Sequence, residues 1–220
     1  IMNAPAAIVM AKIFLPETSP ENIDRALVVN RHAIGVNIVD ALATGAADGL
    51  RLALNIGAML LAFIAVIAAL NWLLMEGIGS WTGLNEWVRI TTDNRFSGFS
   101  LEYIFGQLFR LIAFAMGVEW SQTLSVGSLL GQKMVINEFI AYSSLAEMKD
   151  AGILTEKSII ISTYALCGFA NFSSIAIQIG GIGGMAPGRQ GDLSRLGIKA
   201  LLAASLATMM SGTIAGALLA

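Results

Sequence analysis

The chain has 220 residues, of which 56% are hydrophobic and only 13% charged, about half the roughly 25% usual in soluble domains, so an ordinary water-soluble domain is excluded. Thirteen basic against fifteen acidic residues leave a net charge of −2, and no global basic field exists to hold a nucleic-acid backbone. The single cysteine, Cys167, excludes a disulfide within the chain and a Cys-rich zinc site.

Taken in order, Ile1 to Ala11 is an apolar stretch with neither an initiator methionine nor the basic n-region of a signal peptide. It reads as the tail of a spanning helix, and the chain as the C-terminal part of something longer. Pro16-Glu17-Thr18-Ser19-Pro20 is turn chemistry, with Thr18 or Ser19 placed to start the next helix. Ile34, Ile38 and Leu42 recur at four-residue spacing beside Arg31, His32 and Asp40, which predicts an amphipathic helix in the membrane interface. His32 reads as a polar-face residue, with proton sensing as the alternative.

Leu52 to Met75 is free of charge between Arg51 and Glu76 and long enough to span a bilayer, as are Ser158 to Gly188 and Ala200 to Ala220. Gly98 to Ala146 differs, being apolar in bulk yet holding Glu102, Arg110, Glu119, Lys133 and Glu138, with a break near Gly117–Ser121. That pattern predicts a re-entrant hairpin, whose non-helical tip is tolerated at depth only against protein or a watery cavity; two ordinary spans with tolerated charges are the alternative. With alternating segments, one side carries Lys12, Arg25, Arg31, Arg51, Arg189, Arg195 and Lys199 and the other Arg89, Arg95, Lys149 and Lys157. The side with more basic residues is expected to be cytoplasmic.

An ionisable group at the centre of a membrane helix costs at least ~2.5–3.5 kcal/mol and marks a functional candidate. Glu138 is such a group, with Asn137 before it and Tyr142 one turn later on nearly the same face. Carboxylate, amide and phenol suit a polyhydroxylated ligand; a structural ion pair of Glu138 with Lys133 or an upstream cation stands beside that reading. In the charge-free window, Gly168 marks a helix break, followed by a polar stripe of Asn171, Ser174 and Gln178. Broken membrane helices bring such groups to a midplane site, while helix–helix bonding is the alternative. Gly180 to Gly188 reads as a tight helix exit before Arg189, not a dinucleotide loop. Gly212 and Gly216 allow close helix packing. No H-E-x-x-H, G-x-S-x-G or Walker pattern occurs, and an enzyme is not expected.

Four stretches carry a family resemblance: Asn3-Ala4-Pro5-Ala6-Ala7 through Lys12 with Pro16-Glu17-Thr18; Gly131-Gln132-Lys133 through Asn137-Glu138-Phe139-Ile140-Ala141-Tyr142; Ala165 through Ala176, which contains Cys167-Gly168-Phe169-Ala170-Asn171-Phe172-Ser173-Ser174; and Gly180-Gly181-Ile182-Gly183 through Ala186-Pro187. The chain resembles the C-terminal half of a bacterial concentrative nucleoside transporter. The resemblance implies an all-α, multi-pass protein of the bacterial inner membrane. It further implies one half of an inverted-repeat, elevator-type homotrimer in the lipid bilayer, without a cofactor.

On that resemblance, residues 1–51 are the end of a transmembrane helix plus an interfacial helix, and 52–75 the scaffold helix near the trimer contact. Residues 76–97 are an extracytoplasmic connection. The transport-domain repeat is 98–220, made of the hairpin Gly98–Ala146, the broken helix Ile159–Met185 and a final helix. Glu138, Asn171 and Ser174 match positions that bind the ribose hydroxyls of a nucleoside such as uridine, with Phe169 beside the sugar and Asn137 included in the site. The family's Gln-Thr-Glu base-reading run and its sodium-site residues are absent from these 220 residues. The coupling cation, sodium in preference to a proton, is therefore expected to bind mainly outside this segment; if protons drive the cycle, Glu138 is the candidate carrier. The competing expectations are an intramembrane enzyme acting on a polar lipid head group, with Glu138 as general base, and a non-transporting scaffold subunit.

Overall fold

A computed structural model describes residues 3–18, 37–185 and 187–218. His32 and Ile34 lie outside the described residues. All the secondary structure described is helical: α1 (Asn3–Phe14), α2 (Ile38–Trp72), a π-helical extension of it (Leu73–Gly79), α3 (Ser80–Thr82), α4 (Leu84–Thr91), α5 (Leu101–Ala115), α6 (Thr123–Val135), α7 (Glu138–Asp150), α8 (Glu156–Leu166), α9 (Phe172–Met185) and α10 (Gln190–Leu218). Two compact units divide the chain, residues 17–66 forming one and residues 1–16 with 67–220 the other.

In the smaller unit the described structure is the N-terminal part of α2. Asn37 starts it, its side-chain oxygen accepting the Asp40 N–H at 2.9 Å, an N-cap that satisfies a donor with no intrahelical partner. Ile38 and Leu42, expected on a separate interfacial helix, therefore belong to the same continuous helix as Leu52. No proline interrupts Ile38 to Trp72, so nothing in the backbone forces the helix to stop at Arg51.

The larger unit is built on a core of Phe109, Ala113, Val126, Leu129, Leu130, Ala141, Leu145, Ile161, Ala165, Leu166 and Met209, drawn from α5, α6, α7, α8 and α10. Ten of the thirteen residues of α6 are buried, which makes it the helix around which its neighbours pack. Its contact with α5 is backbone on backbone, since a Cβ at Gly127 would stand 2.6 Å from the Gly106 carbonyl oxygen. Among the described residues α10 is the helix long and apolar enough to cross a membrane by length and composition.

The stretch expected to hold two helices holds three. One break falls at Met116–Gln122, where Gly117 adopts φ +92°, as its glycine and polar residues predict. A second, at Ile136–Asn137, separates α6 from α7. It carries neither glycine nor proline; Asn137 makes it by taking an extended conformation and accepting the Ile140 N–H at 2.9 Å on its side-chain oxygen. The break at Cys167–Asn171 between α8 and α9 falls on Gly168 as expected.

Candidate functional site

The two internal breaks meet. Glu138 opens the first turn of α7, Asn171 lies just before α9, and the Asn171 side-chain N–H donates to Glu138 Oε2 at 3.3 Å. Asn171 is fully buried and its amide has a fixed orientation. Its oxygen accepts the Ser174 N–H at 2.8 Å and the Ser173 hydroxyl at 2.6 Å, leaving the nitrogen to face the carboxylate. Ser174 completes the turn by donating its hydroxyl to the Asn171 carbonyl at 2.6 Å and accepting the Asn171 N–H at 3.3 Å. The expected polar stripe is therefore a helix cap at Asn171 and Ser174, not three free side chains on one face. Glu138 is half-buried and keeps acceptor capacity that one amide does not exhaust.

The remaining expected residues separate. Asn137 is buried and its oxygen caps α7. Phe169 is 49% exposed and, with Ser174 and Gln178, lines a cavity of about 390 Å³ between α9 and α10. Its other walls include Ile175, Leu196 and Leu201. Glu138 and Asn171 are not among the walls, so Ser174 is the residue common to the cavity and the polar cluster. Among the described residues no group of three or more His, Cys, Asp or Glu could hold a metal ion.

Sequence reasoning missed what holds the break open. A helix that stops inside protein leaves its last carbonyls without partners, and three side chains from three other helices supply donors at the end of α8. Tyr142 Oη donates to the Thr163 carbonyl at 2.7 Å, Lys133 Nζ to the Ala165 carbonyl at 2.9 Å, and the Asn3 amide to the Cys167 carbonyl. Lys133 also donates to Thr208 Oγ1 at 2.7 Å, and Asn3 accepts from the Ser211 hydroxyl. Lys133 is buried and makes no ion pair with Glu138; its ammonium is held by neutral oxygens of α8 and α10. The available signal was a lysine, an asparagine and a tyrosine inside apolar runs, where each needs a partner. The partners themselves lie 32, 164 and 21 residues away in the chain, beyond any local pattern.

Two helix breaks joined by a hydrogen bond inside the fold are an arrangement that many membrane transporters use. The comparisons with known proteins agree and go further. Residues 1–216 match the family model described as the C-terminus of the Na+-dependent nucleoside transporter, and the chain belongs to that family. It is 44% identical over 216 residues to the uncharacterized transporter YutK of Bacillus subtilis, covering 98% of this chain and 50% of that protein. It is 38% identical over 218 residues to the nucleoside permease NupC of Helicobacter pylori, covering 98% and 48%. The solved structure of CNTnw in an inward-facing substrate-bound state superposes with a TM-score of 0.77 at 41% identity, covering 97% of this chain and 47% of that one. The chain thus spans about half the length of these relatives.

Proposed function

We propose that the protein imports nucleosides across the bacterial inner membrane by cation-coupled secondary transport, with sodium as the coupling ion, in an elevator-type cycle of a homotrimer. The observation that carries this reading is the Glu138–Asn171 pair across two helix breaks. A carboxylate that only accepts and an amide that donates form a natural grip for the vicinal diol of a ribose. A pocket built this way discriminates strongly against analogues lacking the hydroxyls, because its own polar groups are then left unpaired. Phe169 and Ser174 flank the sugar; Asn137 serves indirectly, by fixing the turn that presents Glu138. The cation binds mainly through residues outside this segment.

The test is uptake of labelled uridine by proteoliposomes containing the complete gene product, under an inward sodium gradient, an inward proton gradient, or neither. Accumulation of intact uridine driven by sodium supports the proposal. Accumulation driven by protons alone overturns the sodium assignment, chemical conversion of uridine points to an enzyme, and absence of both uptake and binding removes the transport reading.

A further inference from the structure

Away from the Glu138–Asn171 cluster, two arginines from different elements are tied to one short turn. Arg95, in the loop after α4, donates from Nη1 to the Ser121 carbonyl at 2.7 Å. Arg110, on α5, donates from Nε to Thr123 Oγ1 at 3.2 Å, and its guanidinium carbon stands 4.2 Å from the centre of the Trp120 ring. Both arginines, each bound to residues 120–123, line a cavity of about 440 Å³. Among the described residues the salt bridges are Glu86–Arg89 and Arg189–Asp192, so neither arginine has a paired carboxylate. Glu119, in the same turn, accepts from Gln122 instead. Two like charges lining one cavity favour an anion between them, and among the described residues most of their N–H donors have no partner.

The surroundings indicate the anion. Planar guanidinium forks match phosphate oxygens two at a time. Asp93 lines the same cavity without an ion pair, in a left-handed backbone conformation with φ 52°, and places one negative charge on an otherwise cationic site. Beside the cavity, α5 turns Leu108, Leu111 and Phe114 outward at 65%, 69% and 55% exposure, with Trp120 packed edge-on against Phe114 at 5.5 Å. An apolar face on the helix that carries Arg110, beside a cavity lined by two arginines and Trp87, is the arrangement that a lipid satisfies at both ends.

We propose that this cavity binds the head group of a zwitterionic phospholipid. The phosphodiester lies between Arg95 and Arg110, the primary ammonium of an ethanolamine meets Asp93, and an acyl chain runs along Leu108, Leu111 and Phe114. The inference is independent of the nucleoside reading, since it uses none of the same residues.

The complete protein, extracted with its native membrane into lipid nanodiscs and then transferred to phosphatidylethanolamine, phosphatidylglycerol or mixed lipid, allows retained lipid to be counted by native mass spectrometry. The expected result is a retained phosphatidylethanolamine that Arg95→Gln weakens by about tenfold, the scale of one charge-assisted hydrogen bond. Asp93→Asn shifts the preference toward phosphatidylglycerol. Because Arg110 also braces Thr123, Arg110→Lys is used with Arg110→Gln; a lipid site retains part of its occupancy in the lysine variant, and a size-exclusion profile identifies any variant that fails to fold. Three outcomes overturn the proposal: no retained lipid, lipid unaffected by Arg95→Gln, or full displacement by inorganic phosphate, which assigns the clamp to a soluble anion.

Discussion

Lys133 donates a 2.9 Å hydrogen bond to the carbonyl of Ala165, the penultimate residue of α8, from a side chain that is itself buried. A cation at a helix C-terminus is favoured by the helix dipole, and here it also fills a hydrogen-bonding position that the interrupted helix has vacated. With its second bond to Thr208, Lys133 ties α6 to the end of α8 and to α10 at one point.

Lys133→Ala is expected to destabilise the protein by about 1–3 kcal/mol, because it leaves a buried carbonyl and a buried hydroxyl short of a donor. Lys133→Met fills the space without a charge to desolvate and is expected to fold while holding the break loosely. Its uridine Kd should rise although Tm falls less than in the alanine variant. Thermal unfolding with and without uridine separates the two effects, and an unchanged Kd in Lys133→Met would show that the tie does not reach the site.

Glu138→Gln keeps the shape of the side chain and replaces a charged acceptor with a neutral group that also donates. Loss of a charge-assisted bond of about 1.5–3 kcal/mol corresponds to a roughly tenfold or greater loss of ribonucleoside binding. Binding of 2′,3′-dideoxyuridine, which has no diol to grip, should change much less. Competition binding with the two ligands reads the difference, and equal losses would count against contact with the sugar.

Asn171 has two functions that substitutions can separate. Its oxygen caps α9 and its nitrogen faces Glu138. Asn171→Ala removes both, with a stability cost near 1 kcal/mol for the cap. Asn171→Asp preserves the cap and sets a second carboxylate against Glu138. The aspartate variant should keep most of its Tm yet lose ribonucleoside binding at neutral pH. Ser174→Ala should behave as a weaker form of Asn171→Ala, since its hydroxyl proton is spent on the Asn171 carbonyl.

What could be read from the sequence follows from the range of the interactions involved. Gly168 announces the α8–α9 break because a missing Cβ is a local property, and Asn171 and Glu138 stand out because polar groups in apolar runs are conspicuous. The Ile136–Asn137 break was harder to see: Asn137 caps a helix, but an asparagine followed by Glu-Phe-Ile also fits a continuous helix. The resemblance to nucleoside transporters rests on motifs spread from Asn3 to Pro187, and two of the residues it singles out, Glu138 and Asn171, stand within hydrogen-bond distance of each other. It said nothing of why Asn3, Lys133 and Tyr142 belong to those motifs. Their common task, donating to the end of α8, emerges only when α1, α6 and α7 are folded around it.

The packing of Gly168 gives the most specific prediction. A Cβ on this residue would lie 2.5 Å from Thr208 Cγ2, a separation that real side chains do not tolerate, and Thr208 cannot simply turn away because its hydroxyl receives the Lys133 bond and donates to the Ser205 carbonyl at 2.8 Å. Gly168→Ala should therefore destabilise the protein by about 1–3 kcal/mol, the usual range for overpacking a filled site. Thr208→Ser removes the colliding methyl and retains the hydroxyl, so alone it should cost little. Combined with Gly168→Ala it should recover most of the lost Tm, an interaction between neighbouring sites that a double-mutant cycle measures directly. Thr208→Val, which keeps the methyl and deletes the hydroxyl, should fail to rescue and should weaken the Lys133 tie as well. If serine and valine rescue equally, the damage done by alanine at position 168 comes from the backbone of the break and not from its contact with α10.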